Sequence, residues 1–190
     1  DARSMAARQR DISVSEFFTK NRHLLGFDNP RKALLTSVKE AVDNALDACE
    51  EAAIAPVIHV EIDELAEDRF EIRIRDNGPG IVKEQIPKIF GKLLYGSKFH
   101  RYRQSRGQQG IGISAAGMYG LLTTGRPVAI TSRAGKRKPA HYYEIAIDTR
   151  GNKPEILKDE VVDDPPMQGT GTEVRIALEG TFMRGRRSVD

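Results

Sequence analysis

Tryptophan is absent from this chain and cysteine occurs once, at Cys49. A single thiol cannot form an internal disulfide, so the fold must rest on its core alone, and a reducing, cytoplasmic setting is the expectation. Long apolar runs are missing too. No stretch approaches the ~18 residues that cross a bilayer as a helix, which speaks against a membrane protein. The opening "DARSMAARQR" has no apolar centre of the kind a signal peptide needs. Met5 inside it suggests that the four residues before it are an addition, and they are left out of the fold reasoning. Nor is there an excess of one charge: 30 Lys and Arg against 27 Asp and Glu give +3, which permits an anionic partner without demanding one. With no repeat or low-complexity tract, what remains is 190 residues, 39% hydrophobic and 30% charged. That is an ordinary globular composition, enough for one domain that buries roughly 70% of its unfolded surface.

The strongest local signal lies between Arg31 and Ala53. Leu34, Leu35, Val38, Ala41, Val42, Ala45, Leu46 and Cys49 recur at steps of three and four, predicting a helix with one apolar face. Pro30 suits its first turn and Asn29 its cap. After Pro56 the period changes to two: "VIHVEID" and "RFEIRIRD" read as an antiparallel hairpin closed by "DNGPG". "KEQIPKIFGKLLYGSK" reads as short helical pieces, "FHRYRQSRGQQG" as an exposed basic loop, and "ISAAGMYGLLT" as a short helix. A second hairpin, "PVAITSRAGKRKPAHYYEIAID", carries a basic tip, and "GTEVRIAL" is a final strand. Hairpins with helices grouped between them predict an α+β, two-layer domain: a mixed, mostly antiparallel sheet with helices on one face.

Four stretches carry possible chemistry. Glu40, Asn44 and Asp47 share one stripe of the long helix. The stripe is either a solvated face or a site where the Asn44 amide ligates a hard cation such as Mg²⁺, one turn from a carboxylate able to deprotonate water. In "RDNGPG", Asp76 is either a turn residue or a buried acceptor for a donor such as an adenine amino group, with the glycines giving a flat ligand access to the backbone. "SRGQQGIGISAAGMYG" lacks the Gly-Lys-Ser or Gly-Lys-Thr of a Walker loop, and its glycine spacing differs from the dinucleotide fingerprint. It is either a flexible loop or an anion cradle entering a helix, with Ser97, Lys98 and Arg106 nearby as donors. "GTGTEVRI" is a strand start whose Thr170 offers a hydroxyl to a base pocket. Three basic stretches, "KFHRYRQSR", "RAGKRK" and "RGRR", also allow a DNA-binding module with no enzymatic activity, tracking a strand by charge and stacking.

In order and spacing, "EAVDNALDA", "DNGPG", "GQQGIG" and "GTGT" resemble the four signature boxes of the GHKL ATPases, the superfamily of gyrase, the heat-shock chaperone, histidine kinases and the MutL proteins. From about Ile12 onward, "KEAVDNALDACEEA", "FGKLLYGSKFHRYRQSRGQQGIGISAAGMY" and "LEGTFMRGRRSVD" are further similar to the ATP-binding B subunits of type IIB DNA topoisomerases. The resemblance implies a Bergerat-type fold that binds ATP and Mg²⁺. It implies Glu40 as general base, Asn44 as Mg²⁺ ligand, and Asp76 on the adenine amino group with Thr170 assisting and Gly80 making room. Ser97 and Lys98 would meet the nucleotide, Arg106, Gly107, Gln108, Gln109, Gly110, Ile111, Gly112 and Ile113 would wrap the phosphates, and Asp47 would support the pocket without touching the ligand. It further implies an N-terminal extension over residues 1–28 acting as a dimer strap, followed by the ATPase domain over 29–190. The implied partners are a second B subunit closing on ATP, a DNA-cleaving A subunit and double-stranded DNA, in a cytoplasmic, nucleoid-associated setting. In that family a lysine from a further domain meets the γ-phosphate. The chain stops at Asp190, and Lys153 and Lys158 are not substitutes, so the expectation is nucleotide binding with poor turnover. A histidine-kinase-like domain and a non-hydrolysing dimerisation module are the alternatives.

Overall fold

The computed structural model describes residues 14–92 and 112–180. Its helices are α1 (Val14–Leu25), α2 (Pro30–Glu51), α3 (Ile86–Phe90, preceded by a single 3₁₀ turn at Lys83–Gln85) and α4 (Gly112–Thr124). Its strands are β1 (Ile58–Ala66), β2 (Arg69–Asp76), β3 (Val128–Arg133), β4 (Ala140–Asp148), β5 (Lys153–Val162) and β6 (Gly171–Glu179), in the sheet order β1-β2-β6-β3-β4-β5.

Every pairing among these strands is antiparallel. The mixed sheet expected from the sequence does not occur among the described residues, for a topological reason. β2 and β3 run parallel, but the last strand, β6, enters between them and pairs antiparallel with both. β5 is a strand that the period-two pattern did not reveal. It lies at the sheet edge and is exposed along most of its length, so no buried face imposes alternation on "KPEILKDEVV".

Alternation sorts the sheet into two faces. Val60, Ile74, Val174, Ile130 and Tyr143 form one cross-strand row toward the helices. The neighbouring row, His59, Arg75, Glu173, Thr131, Tyr142 and Glu160, is polar and points the other way. On the helical side, α4 is buried from Ile113 through Gly120. A helix apolar all round belongs in the middle of a core.

α2 begins where the sequence indicates: the Asn29 side chain accepts from the Arg31 N–H at 2.9 Å, with Pro30 at the first helical position. Its inward face is built of small residues, Ala33, Ser37, Ala41, Ala45 and Cys49, with Leu34. Opposite Ala41 and Ala45 these side chains do not reach the sheet, and a cleft stays open there. The described part of the segment expected to reach a partner packs on its own chain. Phe18 and Phe27 are fully buried, Phe27 stacks on Tyr119 at 5.1 Å, and the Arg22 guanidinium lies 5.6 Å from that ring's centre. Residues 1–13 lie outside the described residues.

Candidate nucleotide site

The cleft between α2 and the sheet has a volume of about 190 Å³. Its helical wall is Ala41, Asn44, Ala45 and Ala48, and Ile74 and Val174 form its floor. Asp76 and Thr172 close one end and Ile113 the other side. An apolar slot with few polar groups orients a flat ligand by those groups alone.

Asp76 is the most constrained of them. It ends β2, and its Oδ1 accepts the N–H of Gly78 at 2.8 Å and of Thr172 at 3.2 Å. Among the described residues both bonds end on Oδ1, which leaves Oδ2 without a bonded partner. Burial pushes this carboxyl above its ordinary range, and the two backbone donors pull against that rise.

The turn after Asp76 is fixed by its neighbours. Gly80 has φ +73°, where a side chain is disfavoured, and an added Cβ would run into the Arg133 carbonyl. The Ile81 N–H donates to Ser132 Oγ at 2.8 Å, and Ser132 Oγ also lies 2.9 Å from Thr172 Oγ1 and 3.2 Å from the Gly171 carbonyl. One buried hydroxyl thus joins the "DNGPG" turn to the "GTGT" strand start. Asn77 has a different duty: its amide donates to the Ala55 carbonyl and accepts from the Val57 N–H, clamping the α2–β1 connection.

Described residues from each of the four candidate stretches line the cleft, namely Asn44, Asp76 with Gly80, Ile113 and Thr172. Thr170 does not line this cleft; it faces a separate cavity behind Asp76. The threonine that lines this cleft is Thr172, which the sequence pattern does not single out. Thr170 precedes β6, which starts at Gly171, and only Thr172 comes level with Asp76, where its N–H completes the carboxylate's partners. Ser132 is equally silent in the sequence, since a lone serine in a strand carries no signal until its partners are known.

Along α2, Asn44 is exposed at the cleft and its amide makes no hydrogen bond among the described residues. Asp47, one turn further, is half-buried. Glu40, one turn earlier, has a mostly buried carboxylate at the start of α4, where an added Cβ on Gly112 would overlap it. Burial raises the Glu40 pKa; the Lys39 ammonium, 3.9 Å away, opposes the rise and Asp43 adds to it. Lys39 is held by Asp43 at 2.6 Å. Among the described residues no group of three or more His, Cys, Asp or Glu side chains is arranged to hold a metal. The Asn44 amide oxygen is a hard donor, of the kind that suits a cation held otherwise by water and ligand oxygens. Ser97, Lys98 and Arg106 through Ile111 lie outside the described residues; Gly112 and Ile113, at the start of α4, border the Glu40 end of the site.

No helix of the described residues is long and apolar enough to cross a membrane. The chain is 55% identical to the B subunit of type 2 DNA topoisomerase 6 from Methanococcoides burtonii over 187 residues, covering 98% of this chain and 30% of that protein. The corresponding protein of Halobacterium salinarum is 56% identical over 188 residues, 97% of this chain and 23% of its own length. The chain thus spans less than a third of the curated relatives it matches. Its fold is similar to the 43K ATPase domain of Thermus thermophilus gyrase B, with a TM-score of 0.56 at 19% identity over 94% of this chain and 42% of that one. The model of the histidine kinase-, DNA gyrase B- and HSP90-like ATPases matches residues 29–180, and the chain belongs to that family.

Proposed function

We propose that this chain is the ATP-binding and ATP-hydrolysing module of a type IIB DNA topoisomerase B subunit. The observation that carries the reading is the arrangement of Asp76 and Asn44 in one cleft with Glu40 one helical turn beyond Asn44: a half-buried acceptor, an unengaged amide oxygen and a mostly buried carboxylate, in that order. Asp76 Oδ2 accepts the adenine amino group while Oδ1 stays tied to Gly78 and Thr172. Gly80 and the apolar floor admit the base ring. Phosphates run along α2 toward the start of α4, where free amide groups and the positive end of the helix favour an anion. Asn44 would hold the Mg²⁺ that accompanies them, and that ion, when bound, would supply charge neutralisation on the phosphate oxygens. Ser97, Lys98 and Arg106 through Ile111 complete the phosphate contacts.

Hydrolysis needs little covalent work from the protein. Water attacks the γ-phosphorus, its bond to the bridging oxygen breaks, ADP leaves, and the water's proton passes to Glu40. Gly112 lets that carboxylate sit at the helix start, and Lys39 keeps it ionised against the pull of burial. Residues 29–190 form the ATPase domain, and residues 1–28 are the N-terminal extension that straps a second B subunit. In the whole protein, ATP-driven closure of the two B subunits gates passage of one DNA duplex through a break made by the A subunit, relaxing supercoils and decatenating DNA.

Calorimetric titration of this chain with a non-hydrolysable ATP analogue and Mg²⁺ tests the reading, with phosphate release from ATP measured on a longer chain that carries the domain supplying the γ-phosphate lysine. Glu40→Ala is expected to bind the analogue within about twofold of the parent and to release phosphate about 10²–10⁴ times more slowly, the usual contribution of a positioned base. An analogue that does not bind, or hydrolysis indifferent to Glu40, overturns the proposal. Stable phosphohistidine on the chain would make it a kinase instead.

A further inference from the structure

A second cavity of about 670 Å³ lies behind Asp76, on the side away from the nucleotide cleft. It falls in the size range of small-molecule sites. The buried Met167 and half-buried Ile54 give it an apolar floor, with the exposed Val57 and Pro166 at its edge. Its rim carries His59, Arg75 and Lys136. None of these three makes a side-chain hydrogen bond among the described residues. Arg75 has only a long ion pair to Glu173 at 3.8 Å, because the other oxygen of Glu173 is taken by Arg175 at 2.8 Å. Lys136 reaches over from the β3–β4 turn, its stem passing Gly169. The one acidic residue in the lining, Asp76, turns Oδ1 onto backbone donors. Unspent cationic donors above an apolar floor select an anion with a flat apolar body.

We propose that this cavity is a second ligand site, for an aromatic carboxylate or sulfonate, coupled to the base pocket through Asp76. The coupling is covalent and short. Arg75 precedes Asp76, and the loop ending in Gly169 and Thr170 runs into Gly171, whose backbone abuts the Asp76 carbonyl, and Thr172, whose N–H holds the carboxylate. An occupant that draws Arg75 or this loop toward itself therefore moves the acceptor that faces the nucleotide. This second part rests on the nucleotide reading above; the anion site does not.

Anilinonaphthalene sulfonate is the probe, titrated by fluorescence into the full chain. One saturable site is expected, weakened about tenfold by Arg75→Gln and about tenfold by Lys136→Gln, the scale of one lost charge-assisted hydrogen bond. Lys138→Gln, on the same turn but outside the lining, leaves it unchanged. Lys136 is exposed on a turn, so its variant separates lost binding from lost folding. With the ATP analogue saturating, the probe still binds, at an affinity shifted about fivefold, and the analogue's affinity shifts reciprocally by the same factor. Equal affinity in both variants, complete displacement by the analogue, or displacement by a short DNA duplex each overturns the anion site. Independent binding of probe and analogue removes the coupling alone. If the analogue fails to bind by itself, the nucleotide reading fails while the first arm still decides the anion site.

Discussion

Replacing Asp76 by asparagine isolates one atom of the base pocket. Oδ1 becomes an amide oxygen that can still accept from Gly78 at 2.8 Å and Thr172 at 3.2 Å, so the turn and the strand start keep their tie. Oδ2 becomes an NH₂ group, and an acceptor facing the ligand turns into a donor. For adenine this sets donor against donor. The loss is a hydrogen bond to a charged group, about 1.5–3 kcal/mol. At 1.4 kcal/mol per decade that is about 10- to 150-fold in affinity for an ATP analogue, read by calorimetry. Removing a carboxylate whose burial is costly also relieves desolvation. The thermal midpoint without nucleotide should therefore hold or rise slightly while affinity falls. A nucleotide with a purine 6-carbonyl adds a check, because the new donor suits it and the adenine preference should shrink. Unchanged affinity with an unchanged midpoint would refute the assignment of Asp76 to the base, and a large drop in the midpoint would show that the carboxylate's role is structural.

Three further perturbations probe the rest of the site and its support. Glu40 has a folded-state pKa raised by burial, so the folded chain binds its proton more readily than the unfolded chain does. Its ionisation therefore opposes folding as pH rises through the raised value. Glu40→Gln should be more stable than the parent at neutral pH, with the difference vanishing below the ordinary carboxylate range in pH-dependent melts. Gly112→Ala should lower phosphate release while leaving the thermal midpoint nearly unchanged. The added methyl displaces the Glu40 carboxylate, whereas alanine suits a helix about 1 kcal/mol better than glycine. Phe27→Ala should cost about 3–5 kcal/mol by emptying a fully buried, stacked position, lowering the midpoint by roughly 6–20 °C. A drop of a few tenths of a degree would mean that α1 is not part of this core.

What the sequence made legible is what local pattern controls. α2 declared itself through apolar steps of three and four and an Asn-Pro start, and the β1–β2 and β3–β4 hairpins through alternation and turn residues. The candidate residues of α2 and the "DNGPG" turn could be named because helix phase and turn chemistry are local. The rest depended on contacts distant in sequence. β5 hid because an edge strand has no buried face to print on its residues. Thr170 and Thr172 look alike in the repeated Gly-Thr, and only the pairing of β6 with β2 sets which one lies level with Asp76. Likewise, the docking of α1 depends on Tyr119, whose ring stacks on Phe27 and whose hydroxyl donates to the Glu179 carbonyl at 2.8 Å. Nothing near Phe18 or Phe27 in the chain announces that partner.

The meeting of Glu40 with Gly112 bears on how such a chain can drift over evolutionary time. The carboxylate fills the volume that a side chain at position 112 would need, so the two positions share one space and cannot vary independently. A lineage that acquired alanine at 112 would have to shorten residue 40 to aspartate or abandon hydrolysis while keeping the Asp76 pocket intact. If the proposed reading holds, one substitution at either position is enough to lose turnover while the Asp76 pocket is kept.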